Sequence, residues 1–417
     1  MTADSPQVGD QVTLDIGAVA HGGHCVARWD GRVVFVRHAL PGERAVVRIT
    51  DTAHAGYLRG DAIEILTADP RRVTPRCVHF RPAGCGGCDF QHADTELQRE
   101  LKAAVLTEQL SRLAGIDRQV PVESLPGNGF GWRTRVRWAL DDAGRIGPRA
   151  VRSHQVVAVS ATEPCEIAAD GLSEFVSALD VPAGLRGRSA DRRQRPGARK
   201  VRPRKLPEVT LLRPPDGEPV AVWAGSTPPL VTESAVGRAF SVAGDGFWQV
   251  HPDAAAVLAA AVDDALDGVE LTGGVALDLY GGVGLFAAVL AARVGVGGRV
   301  VTVESDAAAT DLAAANLADL PQVLAQTGRV ERFVAESDEP VDAVVLDPPR
   351  SGAGRAVCTA LAAKATRVIV YVACDPAALA RDTAIFGELG YRLDTLRAFD
   401  CFPQTHHFEC VARFVPA

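Results

Sequence analysis

No uninterrupted apolar run in the 417 residues approaches the roughly 20 that a bilayer-spanning helix needs. A membrane-spanning helix is therefore excluded and a soluble chain is expected. The first residues, MTADSPQVGD, lack the basic and apolar regions of a secretory signal, so a cytoplasmic location is expected. Lysine is scarce, outnumbered about tenfold by arginine; this reads as codon bias and carries no functional information. Internal repeats are absent. Net positive charge is lacking too, at −7, which argues against a polyanionic partner until the charge is divided along the chain. Residues 1–250 carry 32 basic and 29 acidic side chains, whereas 251–417 carry 12 and 22. Any nucleic acid is expected to be gripped by the first part, because phosphate contacts need Lys or Arg.

What is present falls into three stretches, with expected boundaries at 5–66, 67–235 and 236–417. The first alternates apolar and polar residues in QVTLDIGAVA, CVARWDG, RVVFVRHAL, RAVVRITDT and GDAIEIL, punctuated by Gly and Pro, which predicts a small β-barrel. In the second, Leu97, Leu101, Val105, Leu106, Leu110 and Leu113 fall at helical spacing, and strand-like segments follow at RTRVRWAL, HQVVAVS and EVTLLR. From Phe240 onward strands and helices alternate through ALDLYGG, RVVTVES, DAVVLDPPR and RVIVYVACD. That alternation predicts a parallel sheet covered by helices on both faces.

Four patterns carry chemistry. Leu277–Gly284, LDLYGGVG, runs from a buried strand into a Gly-rich turn and a helix, and Glu304 ends the next strand where an acid would meet ribose hydroxyls. This fits a dinucleotide, S-adenosylmethionine or mere tight packing. Asp347-Pro348-Pro349-Arg350 gives a rigid exit from a strand at the sheet edge where ligands of open α/β sheets bind. Cys374, in VACDP, ends the following strand at that same edge, where a nucleophile would stand; elsewhere such a cysteine is a small buried hydrophobe. Cys25, Cys358, Cys401 and Cys410 have no such setting and keep the structural reading. Finally, Cys77-x7-Cys85-Gly-Gly-Cys88, with Cys165 as the best distant fourth, leaves zinc, an iron–sulfur cluster and unpaired structural cysteines open.

The segments FWQVHP, LDLYGGVGLF, DPPRSG, YVACDP and FPQTHHFECV occur in the order seen in the tRNA and rRNA uracil-5-methyltransferases, and the chain resembles that family over nearly its whole length. VGDQVTLDIGAVAHGGHCVAR and FVRHALPGERAVVRI resemble a TRAM domain, an OB-like RNA-binding module. The resemblance implies a Rossmann-like S-adenosylmethionine methyltransferase domain behind an OB-like barrel and a central β-rich domain. It makes Cys374 the nucleophile and Glu409 the base. Gln249, Tyr280, Gly282, Gly284, Glu304 and Asp347 become cofactor contacts. GCGGCDFQH resembles the family's iron–sulfur loop, so a [4Fe–4S] cluster on Cys77, Cys85, Cys88 and Cys165 is implied. Leu285 and His251 stand where many relatives carry Asn.

The chemistry wants these residue types independently. Carbon 5 of uracil is a poor nucleophile, and a thiolate adding to carbon 6 turns it into an enolate that can take a methyl group. A carboxylate must then remove the carbon-5 proton so that the thiolate leaves. A pyridine-nucleotide oxidoreductase would share the Gly turn but gives DPPR and Cys374 no use; an RNA-binding protein without catalysis would need neither Cys374 nor Glu409. The expected partner is an RNA, tRNA or 23S rRNA, met by a monomer with no obligate protein partner. Between Arg186 and Lys205 lie ten basic residues and one acid, which fits equally a disordered solvated insertion without function and an arm that grips phosphates without reading bases.

Overall fold

The computed structural model describes residues 6–182, 185, 206–337, 339–364 and 366–417. The basic stretch Arg186–Lys205 lies outside the described residues. The chain divides into two compact units, Met1–Asp94 with Gly129–Pro229, and Thr95–Asn128 with Leu230–Ala417.

In the first unit, six strands form a sheet in the order Gln11–Asp15, Arg44–Asp51, Tyr57–Thr67, Arg32–Arg37, His24–Trp29, Val19–Ala20. Register shifts between Arg44–Asp51 and Tyr57–Thr67 bend this sheet, as bulges do. Its two edges belong to consecutive strands, and Gly17 N to Val26 O (2.7 Å) and Val26 N to Ala18 O (2.9 Å) draw the edges together in the barrel manner predicted from the alternation. Gly17 is required there, since a Cβ would meet Val26 O at 2.8 Å. A second sheet, Val220–Trp223, Glu208–Leu212, Arg135–Leu140 and Ile146–Gly147, packs Val136, Trp138, Leu140, Val209 and Leu211 into its own core.

The second unit is built on an eight-stranded sheet in the order Val323–Thr327, Arg299–Glu304, Val275–Leu279, Ala343–Leu346, Val368–Ala373, Glu409–Pro416, Tyr391–Asp400, Val122–Ser124. The first five strands are parallel, and Glu409–Pro416 runs antiparallel to both its neighbours. Every residue of Ala343–Leu346 and Val368–Ala373 is buried, as strands covered on both faces require. The strand order reverses between Val275–Leu279 and Ala343–Leu346, so the carboxyl ends of these strands open a crevice where loops diverge.

Residues 95–128 join this unit: helix Thr95–Gln109 packs on it and Val122–Ser124 is its edge strand. Leu97, Leu101, Val105, Leu106 and Leu110 are buried as their spacing predicts, but Leu113 is 38% exposed. The helix ends in a π-helical turn over Leu110–Ala114, whose extra residue per turn rotates Leu113 off the apolar stripe.

Candidate active site

Three parallel strands deliver the candidate residues to one edge. After Leu279 the backbone turns through Tyr280, a non-glycine residue at φ 63°, and Gly282 (φ 54°) and Gly284 (φ 96°) before helix Leu285–Val294. Gly282 N donates to Glu304 Oε2 (3.2 Å), tying the Gly turn to the end of the next strand, while Asp306 N and Ser305 Oγ donate to Glu304 Oε1 (2.8 and 3.0 Å). Beneath the turn lies Asp278, almost wholly buried, its Oδ2 accepting from Thr302 Oγ1 (2.9 Å) and Ala287 N (3.1 Å). Burial pushes this carboxyl up to about 7, against the two hydrogen bonds.

Asp347 follows Leu346 and is likewise pushed up to about 7, by burial first and then by the charge of Asp278. Its loop is held from behind by Asp382, whose Oδ2 accepts from Tyr371 Oη (2.7 Å), Ala353 N (2.8 Å) and Gly354 N (3.2 Å). Tyr371 stands on strand Val368–Ala373 and Asp382 on helix Pro376–Glu388, so the elements flanking Cys374 also grip the DPPRSG segment.

Cys374 sits between that strand and that helix because Asp375 caps the helix, accepting from Ala378 N (2.8 Å), and Pro376 takes the first turn. Register places Ala373 opposite Cys410, so the next step along the antiparallel pair sets Cys374 across from Glu409. Glu409 is buried and its Oε2 has no hydrogen-bond partner among the described residues. Burial and then the neighbouring Asp347 raise its carboxyl well above the usual range, opposed by Arg350. Burial, then Glu409 and Asp347, push the Cys374 thiol up to about 12, and Arg350 again opposes. Arg350 thus faces both Cys374 and Glu409, and its Nη2 donates to His407 Nε2 (3.2 Å).

Gln249 is buried on the segment between hairpin Leu230–Ala235/Arg238–Ala243 and helix Ala254–Ala265, which Trp248 anchors against Phe240 (ring centroids 5.4 Å apart). Among the described residues no hydrogen bond or charge interaction joins the Gln249 side chain to the other cofactor candidates. Sequence reasoning left Arg350 without a role although it stands in the DPPR motif, and it passed over Asp278, Asp382 and Tyr371.

In the other unit, Cys77, Cys85, Cys88 and Cys165 all line one cavity of about 420 Å³. Cys85 Sγ accepts from Gly87 N and Cys88 Sγ from Gln91 Nε2, both at 3.3 Å. Burial pushes the Cys85 thiol up to about 12, with Cys165 and Cys77 adding to it. Among the described residues no three His, Cys, Asp or Glu side chains are grouped tightly enough to hold a single metal ion.

Residues 6–63 match the TRAM domain profile and residues 239–414 the profile described as tRNA (Uracil-5-)-methyltransferase. An uncharacterized RNA methyltransferase of Streptomyces avermitilis is 45% identical over 98% of this chain and 99% of its own length. The 23S rRNA (uracil(1939)-C(5))-methyltransferase RlmD of Pseudomonas fluorescens is 32% identical, covering 98% of this chain and 94% of its own. The crystal structure of Pyrococcus abyssi tRNA (uracil-54, C5)-methyltransferase in complex with S-adenosyl-L-homocysteine shares the fold, with a TM-score of 0.68 at 22% identity over 96% of this chain and all of that one. The chain is an RNA methyltransferase and belongs to the uracil-5-methyltransferase family.

Proposed function

We propose that this chain transfers the methyl group of S-adenosylmethionine to carbon 5 of a uridine in RNA, with Cys374 as nucleophile and Glu409 as base. The observation that carries the reading is a thiol opposite a buried carboxylate whose Oε2 has no hydrogen-bond partner among the described residues, at the edge where the Gly turn, Glu304 and Asp347 also end. Gln249, Tyr280, Gly282, Gly284, Glu304 and Asp347 hold the cofactor, which supplies an electrophilic methyl group on a sulfonium.

Cys374 loses its proton to solvent water and the thiolate sulfur bonds to carbon 6, so that the electrons of the 5,6 double bond pass to carbon 5 and the carbonyl oxygen beyond. Carbon 5 then takes the methyl group as the sulfonium's sulfur–methyl bond breaks and its electron pair stays on the sulfur. Glu409 accepts the carbon-5 proton, the double bond re-forms and the thiolate leaves. Arg350, the cation beside both groups, favours their ionised forms. The uridine must be unpaired or flipped, since a thiol cannot reach carbon 6 inside a stacked helix.

The barrel supports RNA as the partner. Tyr57 stacks on His54 (4.3 Å) and meets Phe35 edge-on (5.2 Å), with the Arg59 guanidinium 5.0 Å over the Tyr57 ring, an aromatic and cationic surface of the kind that receives bases and phosphates. No helix among the described residues is long and apolar enough to cross a membrane, and the reading is of a cytoplasmic monomer. Relatives named for a target act on 23S rRNA or, more distantly, on tRNA. Incubating the protein with labelled S-adenosylmethionine and each RNA, then digesting to nucleosides, is expected to give 5-methyluridine at one position of one of them. Label recovered in any other nucleoside overturns the reading.

The same proposal includes a [4Fe–4S] cluster on Cys77, Cys85, Cys88 and Cys165. Four thiols lining one cavity supply the donor set that such a cluster takes. Its role is structural or RNA-positioning. Protein purified anaerobically is expected to be brown with about four irons and four acid-labile sulfides per chain; stoichiometric zinc without iron would rule the cluster out.

A further inference from the structure

Helix Thr95–Gln109 precedes by more than a hundred residues the segment that matches the methyltransferase profile, yet it reaches the loop that ends on Glu409. Gln98 and Lys102, one turn apart on its inner face, are each 1% exposed. Lys102 Nζ donates to Asp400 Oδ1 (2.5 Å) and to Phe402 O (3.1 Å). Gln404 N donates to Gln98 Oε1 (2.9 Å) while Gln98 Nε2 donates to Gln404 Oε1 (3.0 Å), a reciprocal pair that holds Gln404 at φ 69°. The connection from Asp400 to Glu409 is therefore bolted at 400, 402 and 404. Within it Thr405 Oγ1 donates to Phe402 O (2.8 Å), and His407, whose N donates to Thr405 Oγ1 (3.2 Å), meets Arg350.

A fully buried ion pair contributes little net stability, because desolvation offsets its attraction and apolar residues of equal volume often serve as well. What such a pair does supply is a single geometry. We propose that Lys102 and Gln98 are positioning residues for Glu409: through Asp400, Phe402 and Gln404 they set where the base stands relative to the carbon-5 proton, so that a helix remote in sequence governs release of product from Cys374. This rests on the reading of Glu409 as the base.

The test compares wild type, Gln98→Leu, the charge-free pair Lys102→Met/Asp400→Leu, and Glu409→Gln, on ordinary substrate RNA with methyl-labelled S-adenosylmethionine. Misplacing a catalytic group by about 1 Å costs on the order of 100-fold. Gln98→Leu and the double variant are expected to bind S-adenosylhomocysteine and to unfold near the wild-type temperature, to methylate the RNA within the adduct, and to release it about 100-fold more slowly, leaving a labelled slow-moving band on a denaturing gel. Wild-type turnover in both variants would sink the proposal. So would joint loss of S-adenosylhomocysteine binding and methylation, or failure of both to fold, since the helix would then be structural only. If Glu409→Gln traps an adduct and Gln98→Leu does not, only the positioning role fails; if Glu409→Gln traps none, the assignment of the base fails with it.

Discussion

Cys374→Ala is expected to yield neither 5-methyluridine nor a protein–RNA adduct, whereas Glu409→Gln still attacks and methylates but stalls with the RNA attached. The asymmetry follows from the order of bond making, since the thiolate bond precedes methyl transfer and proton removal follows it. Loss of a general base costs about 10²–10⁴ in rate, so the Glu409→Gln adduct should outlast the wild-type one by that factor. RNA containing 5-fluorouridine should trap the wild-type enzyme in the same form, because fluorine cannot leave as a proton. The pH dependence has a definite sign. With the Cys374 thiol held up to about 12, its thiolate fraction grows as pH rises, so adduct formation should increase by up to about tenfold per unit between pH 7 and 9. Methylation surviving in Cys374→Ala, or the absence of a labelled adduct in both traps, would end the covalent mechanism in favour of direct transfer to a nitrogen.

Gly281→Ala is expected to damage the Gly-rich turn after Leu279 as severely as any single methyl group can. A Cβ there would lie 2.0 Å from Thr302 Oγ1 and 2.6 Å from Asp278 Oδ2. Neither atom can yield easily, because Thr302 Oγ1 donates to Asp278 Oδ2 and both residues are buried in adjacent strands. Overpacking costs about 1–3 kcal/mol, and breaking that hydrogen bond leaves a buried acid short of a donor at a further cost of about 1–3 kcal/mol. For a unit of this size each kcal/mol lowers Tm by about 2–4 °C. Calorimetry should show the drop, and S-adenosylhomocysteine titration should show weakened binding, since Gly281 leads directly into Gly282, whose N–H meets Glu304. A variant with unchanged Tm and affinity would mean that the turn adjusts and that the glycine is not required by the packing.

The common edge at which the second unit's strands end was legible because local pattern and sheet geometry agree there. A strand that must be apolar on both faces announces itself, and in a parallel sheet the residue after each such strand emerges on a common edge. LDLYGG, DAVVLDPPR and RVIVYVACD could thus be read as neighbours before any coordinate was known. The barrel was legible for a similar reason, its alternation being the signature of strands with one buried face. Leu113 misled because a helical template assumes a constant rise and turn, which the π-helical turn at Leu110–Ala114 breaks.

What tertiary structure alone decided lies in pairings between residues distant along the chain. Nothing local distinguishes Glu409 from a solvated carboxylate; its burial and its place across from Cys374 come from inserting Glu409–Pro416 antiparallel beside Val368–Ala373. Lys102 and Gln98 are polar and nothing local marks them for a core, yet both are buried because Asp400, Phe402 and Gln404, some three hundred residues on, present the groups that satisfy them. Arg350 and Asp382 gain their parts in the same way, from the loops and helices that the sheet brings together. The amino-acid sequence by itself determined the period of each element, the turns that glycine and proline enforce, and the edge at which reactive side chains emerge, all set by neighbours in the chain. Which buried polar groups meet, and what each carboxylate and thiol therefore does with its proton, was decided by the fold, because desolvation and pairing depend on atoms that only packing brings close.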